Sequence, residues 1–246
     1  MHKYHIIIEY NGTGFHGFQI QKKNKTIQKT VQSIISKVLK EKINLVGSSR
    51  TDAFVHAFGQ SAHFEVKKKI INIKKLIMSL NFFLNKQLIS ILDIKKKSVK
   101  FHSRYSAKER IYHYLIINRL APPSIFKNKT WHIRKKLDLT IMRKGANKLK
   151  GSHDFSTFRG SNCYSKSPIR LLKQIKIRKD NETITIEFRS KSFLRNQVRS
   201  MVGCLVYLGQ KKWNLKRFEK IFKLKKRKLC APPAPAHGLY LFKVNY

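Results

Sequence analysis

Carboxylates are the scarcest chemically useful groups in this chain, so their settings are read first. Only 12 Asp and Glu stand among 246 residues, against 54 Lys and Arg. Most acidic side chains in such a background serve as counter-charges. Asp52 has a different setting. It lies in Gly47-Ser48-Ser49-Arg50-Thr51-Asp52-Ala53, a run of small residues with an arginine two positions before it. Catalytic residues concentrate on loops held by firmer elements. A carboxylate there can attack, form a covalent intermediate and leave again. On residue chemistry alone, the plainer alternative is a surface Asp closing a turn through its own side chain.

Other patterns point to less. Gly12, Gly14 and Gly17 in GTGFHGF fit G-x-G-x-x-G and follow a strand-like run. Dinucleotide binding needs a helix that opens within those glycines. The helical pattern begins only near Thr26, so the glycines are read as a tight loop. Ten histidines form no H-E-x-x-H pattern and no His–Cys pairing at ligand spacing, so no metal site is expected. Cys163, Cys204 and Cys230 are far apart and make no CxxC pair. That spacing argues against zinc or a disulfide framework and for a reducing, cytoplasmic setting.

The formal net charge is +42. Such a field draws polyanions, nucleic acid above all. The sequence is also crowded with Lys, Ile and Asn, as AT-rich coding DNA would give, and drift of that kind is a competing source of lysine. No run approaches the ~20 apolar residues of a membrane span. The opening MHKYHIIIEY lacks the layout of a secretory signal.

The elements that must hold these groups follow from periodicity. Tyr4–Tyr10, Gln60–Val66, Leu88–Ile94, Arg110–Asn118, Leu171–Arg178, Thr183–Arg189 and Leu239–Val244 read as strands. Helices are expected from Thr26 through Leu39, over Ile73–Leu84, Leu137–Leu149, around Val198–Leu205, and over Leu215–Leu224. Gly47–His56 reads as a loop. Strands and helices mix in both halves, so the expected class is α+β. A break near residue 100 would leave an N-terminal half, 1–100, carrying the Asp52 loop, and a C-terminal half, 101–246.

The run GSSRTDAFVHAFGQSAHF resembles the signature of the tRNA pseudouridine synthase A (TruA) family, roughly GRTDAGVHA-x-GQ-x-x-HF. Arg50, Thr51, Asp52, Ala53, Val55, His56, Ala57, Gly59, Gln60, His63 and Phe64 match. EYNGTGFHGFQ, FHSRYSAKERIYHY, GSHDFSTF, SFLRNQVRSMVGCL and HGLYLFKVNY resemble further family segments in the same order, so the resemblance spans nearly the whole chain. It implies a pseudouridine synthase fold: two α/β halves with mixed, largely antiparallel sheets flanking a central RNA-binding cleft, the second half completing the active site. It also implies isomerisation of uridine to pseudouridine at positions 38, 39 and 40 of the tRNA anticodon arm, by homodimers.

The same resemblance assigns roles. Asp52 matches the nucleophile, and the base must leave its stack to reach it. Arg50 matches the arginine that fills the vacated space and touches the phosphate backbone, a task for a planar, multi-donor cation. Tyr112 matches the tyrosine that stacks on the uracil; a core position shared with Tyr114 is the alternative. Arg199 matches a basic residue that favours the ionised carboxylate; a phosphate contact or a solvated helix position is the alternative. The reaction calls for no cofactor and no metal. A non-catalytic basic RNA-binding protein is the competing class, but it has no use for Asp52, Tyr112 and Arg199 together. A nuclease or deaminase would need metal ligands or a paired acid and base.

The chain departs from the signature at two positions. Phe54 and Ser49 stand where the family has glycine. Because phenylalanine at positive φ is a costly outlier, negative φ is expected at both. The Phe54 ring is expected to pack under or beside the loop, leaving the Asp52 carboxylate open.

Overall fold

The first strand shows how this sequence builds its core. In HKYHIIIEY, Tyr4, Ile6, Ile8 and Tyr10 alternate with Lys3, His5, Ile7 and Glu9. Alternate side chains on a strand point to opposite faces, and the first set is 0–2% exposed. The computed structural model describes residues 1–161 and 163–246. In chain order the elements are β1 (His2–Tyr10), α1 (Ile27–Leu39), β2 (Val46–Gly47), β3 (His56–Val66), α2 (Ile73–Leu84) and β4 (Ile89–Lys97). They continue with β5 (Glu109–Asn118), β6 (Trp131–Ile133), α3 (Leu139–Lys148), β7 (Gly151–Asp154), β8 (Ile169–Asp180) and β9 (Thr183–Ser190). The last three are α4 (Gln197–Gly209), α5 (Leu215–Leu224) and β10 (Leu239–Asn245). This is the α+β class expected. No helix among the described residues is long and apolar enough to cross a membrane.

The chain forms two compact units, Met1–Lys108 with Tyr240–Tyr246, and Glu109–Leu239. Their extents differ from the halves drawn from sequence, because β10 pairs with β3 in parallel, Tyr240 opposite His56. Periodicity marks β10 as a strand but carries no information about its partner, so the terminal segment could not be placed in advance.

In the first unit the strand order is β4-β1-β3-β10, with β2 on β3. β1 runs antiparallel to both neighbours. Helix α1 starts where Thr26 accepts a hydrogen bond from the Lys29 amide and ends at Lys40 in the left-handed region. Such a cap contributes ~1 kcal/mol. Its buried stripe is Ile27, Val31 and Ile35, and α2 buries Leu76, Leu80 and Leu84.

The second unit holds the antiparallel order β5-β9-β8-β7, with the short β6 parallel to β5. β8 and β9 form the hairpin expected around Asp180 and Asn181, and Asn181 takes φ 49° in the turn. Helix α4 is buried nearly all round, from Val198 to Gly209, which explains its run of apolar and small residues. Cys204 and Cys230, 26 residues apart, come to 3.4 Å as free thiols. The hydrogen bond between them, with burial, pushes the Cys204 thiol up.

The second face of the first-unit sheet buries polar groups. His5 Nε2 lies 2.7 Å from the Ser61 hydroxyl, and Phe101 and Tyr246 cover the His5 ring edge-on. His63 Nδ1 accepts from the Ser103 amide at 3.2 Å. Burial, with Lys97 next in effect, lowers His5 to about 4. Burial, helped by His102 and Lys3, lowers His63 to about 4. Both are therefore neutral when folded, while the unfolded chain takes up protons below its ordinary value of 6.5. The stability they contribute is complete above pH 6.5 and is lost as pH falls toward 4. The loss should reach at most about 1.4 kcal/mol per pH unit for each histidine. Urea unfolding between pH 7 and 4.5 checks this. His63→Asn should flatten the decline, and an unchanged slope would put the acid sensitivity elsewhere.

Candidate active site

The loop that carries Asp52 leaves the sheet at β2 and rejoins it at β3. Small residues let it run close to the strand. The Ser48 amide donates to Ser61 O at 2.7 Å, and the Ser48 hydroxyl donates to Gln60 Oε1 at 3.0 Å. The Gln60 side-chain amide donates to Ser49 O at 2.8 Å. Gln60 is fully buried, so these bonds have no competition from water and hold one side of the loop firmly.

The glycine loop holds the other side. The Phe18 amide donates to Thr51 O at 3.1 Å, and the Phe54 amide to Phe15 O at 3.4 Å. The Gly12 amide donates to His56 Nδ1 at 3.0 Å, and the hydroxyls of Tyr10 and Thr51 are 2.8 Å apart. Two of the glycines are needed for this approach. A Cβ on Gly12 would stand 2.2 Å from Val55 O, and one on Gly17, at φ +87°, would stand 2.6 Å from Thr51 O. GTGFHGF is thus the tight loop expected from sequence, laid backbone to backbone against residues 51–55. Sequence reading left its bracing role unseen. The glycine spacing is visible in the sequence, but only the fold shows what those glycines approach.

Asp52 is half-buried and Arg50 exposed on this loop. The other two expected site residues lie in the second unit. Tyr112 on β5 is 8% exposed and meets Phe193 edge-on, with ring centres 5.2 Å apart. Tyr114, on the same face of the strand, is fully buried, and its hydroxyl donates to Pro235 O at 2.8 Å. Burial pushes the Tyr114 phenol well up, against the opposing charge of Arg199. Arg199, on the first turn of α4, donates from Nε to Ala234 O at 2.8 Å, while the Ala234 amide donates to Arg199 O. The chain after Pro233 thereby fixes the guanidinium. His237 is lowered mainly by burial, with Arg199 adding to that effect.

One expectation about the loop is overturned. Ser49 is absent from the positive-φ positions, but Phe54 has φ +64°. The Val55 amide donates to Asp52 O at 3.2 Å, closing a turn with Phe54 at its third position. Positive φ at that position is the type II geometry, ordinarily filled by glycine. Both ends of the turn are pinned, one at Thr51 by Phe18 and the other at Val55 against Gly12, so the backbone takes the left-handed conformation despite the side chain. The strain is about 1–3 kcal/mol. Phe54 is 50% exposed.

Comparison with known proteins agrees with this architecture. A family profile described as tRNA pseudouridine synthase matches residues 6–106 and 146–246. The chain belongs to the tRNA pseudouridine synthase family, a family of isomerases. It is 58% identical over 246 residues, the full length of both chains, to the tRNA pseudouridine synthase A of Pelagibacter ubique. It is 40% identical over 244 residues to the enzyme of that name from Neorickettsia sennetsu, covering 99% of this chain and 100% of that one. To the Caulobacter vibrioides enzyme of the same name it is 37% identical, over 100% of this chain and 99% of that one.

The bracing of the Asp52 loop has a measurable consequence. Gly14 and Gly17 both have positive φ, but a Cβ on Gly14 would meet nothing within 4 Å. Gly14→Ala should therefore cost only backbone strain and leave turnover within about twofold. Gly17→Ala should also push Thr51 aside and lower turnover about tenfold to a hundredfold, the order expected for an ångström of misplacement. Equal effects of the two substitutions on turnover would show that the glycine loop does not position Asp52.

Proposed function

We propose that this chain isomerises uridine to pseudouridine at positions 38, 39 and 40 of the tRNA anticodon arm, with Asp52 as nucleophile. The observation that carries the reading is the Asp52 loop itself. A half-buried carboxylate sits on a segment pinned from one side by Gln60 and from the other by the glycine loop, within a chain of this family. Preorganisation of that kind suits a group that must meet a reacting atom.

In the reaction the bond from N1 to C1′ breaks, the uracil turns, and C5 bonds to C1′. The C5 proton leaves and N1 gains one, so nothing is oxidised or reduced, and no cofactor or metal is required. Asp52 holds the detached fragment covalently during the turn. Arg50, exposed on the same loop, contacts the RNA backbone and fills the space of the flipped nucleotide. Tyr112 stacks on the uracil, and Arg199 supplies the basic side chain that the family resemblance assigns to the site. The protein works in the cytoplasm as a homodimer that holds tRNA. A chain with 54 cationic side chains and 12 carboxylates is suited to that polyanion.

The test is tritium release from an unmodified tRNA transcript carrying 5-tritiated uridine, since the new bond forms at C5. Release from positions 38–40 is expected. Tight tRNA binding with no release would favour the alternative, a basic RNA-binding protein without catalysis.

A further inference from the structure

We propose that Phe54 is a substrate-binding residue, whose ring stacks on an unpaired nucleobase next to the target uridine. The inference rests on the reading of Asp52 as the nucleophile for an RNA substrate. Phenylalanine normally stabilises a folded chain by burying its ring. Phe54 does so only in part, for half of it is exposed. It also holds φ +64° at the third position of the turn closed by the Val55 amide on Asp52 O. The fold thus bears a strained backbone at this position with only half of the usual burial to offset it. Strain retained for so reduced a folding benefit points to a role in the bound state.

Place and chemistry narrow that role. Phe54 is two residues from Asp52 and four from Arg50, which is exposed on the same loop. Any RNA whose uridine reaches Asp52 brings its neighbouring nucleotides past this turn. An exposed aromatic face beside a cation is the pairing by which proteins hold single-stranded nucleic acid: the ring takes a base and the cation takes the phosphate. Every base has a π-face, so the contact adds affinity without demanding a sequence. The turn is also anchored through the Phe54 amide on Phe15 O at 3.4 Å, which presents the ring from a fixed backbone.

Three substitutions test this. Phe54→Gly removes the ring and relieves the backbone, Phe54→Leu keeps apolar bulk without a π-face, and Phe54→Tyr keeps the face. Each is measured for thermal midpoint, for Kd by filter binding of unmodified tRNA transcript, and for kcat and KM by tritium release. Phe54→Gly should raise the midpoint while weakening Kd and KM between about fivefold and a hundredfold, the span of one base–aromatic stack, with kcat little changed. Phe54→Leu should bind as poorly as the glycine variant, and Phe54→Tyr about as well as the parent. Parent-like Kd and KM for Phe54→Gly, or full retention by Phe54→Leu, would overturn the proposal. A parent protein that binds tRNA and releases no tritium, yet loses binding with Phe54→Gly, would retain the stacking role and remove the isomerase reading instead.

Discussion

Replacing Asp52 with alanine is expected to abolish pseudouridine formation while leaving tRNA binding nearly intact. In the proposed mechanism a single carboxylate faces the chemistry, whereas affinity is spread over many cations. Loss of a covalent nucleophile commonly costs about 10^4-fold or more in turnover. Removing one negative charge from a protein of net charge +42 should not weaken its hold on a polyanion. The loop should also survive, because hydrogen bonds through Ser48, Ser49, Thr51 and Gln60 hold it on both sides. Single-turnover rates and filter binding on the purified variant separate the two quantities. Turnover within tenfold of the parent would remove Asp52 from the mechanism, and parallel loss of binding would make it a structural residue.

The second large effect concerns salt. Twelve carboxylates can neutralise at most 12 of the 54 cations, which leaves 42. If even six of these meet phosphates, log K against log[salt] should fall with a slope of roughly −4 to −5. Raising salt from about 50 to 200 mM would then weaken tRNA binding on the order of 10^3-fold. A titration of Kd against potassium chloride decides it. A slope no steeper than about −1 would mean that the lysine excess reflects coding composition, and that binding depends on a few defined contacts such as Arg50 and Phe54.

Much of the architecture was legible in advance, because helical and strand periodicities are local. Ile73 through Leu84 carry an apolar stripe at helical spacing and form α2 over that same range. Thr26 stands before the first periodic residue and caps α1. The short strands β6 and β7 escaped notice, since three or four residues hold too little alternation to read. The placements of the candidate residues were legible in the sequence: Arg50 and Asp52 on one small-residue loop, Tyr112 within a strand, Arg199 on a helix.

What the sequence determined by itself was the run of elements, the family and the setting of Asp52 as the candidate carboxylate. Each of these depends on residues close together along the chain or on a pattern matched in order. The tertiary structure decided the rest through long-range contacts. It placed β10 beside β3, with Tyr240 opposite His56, and brought Cys204 to Cys230. It buried His5 and His63 beneath Phe101. It also turned Phe54 into the left-handed region, which local preference argued against. Local sterics favour negative φ for a phenylalanine by a few kcal/mol at most. The anchors at Thr51, Phe54 and Val55, all supplied by residues 12–18, together outweigh that preference, and they become visible only when the two loops meet.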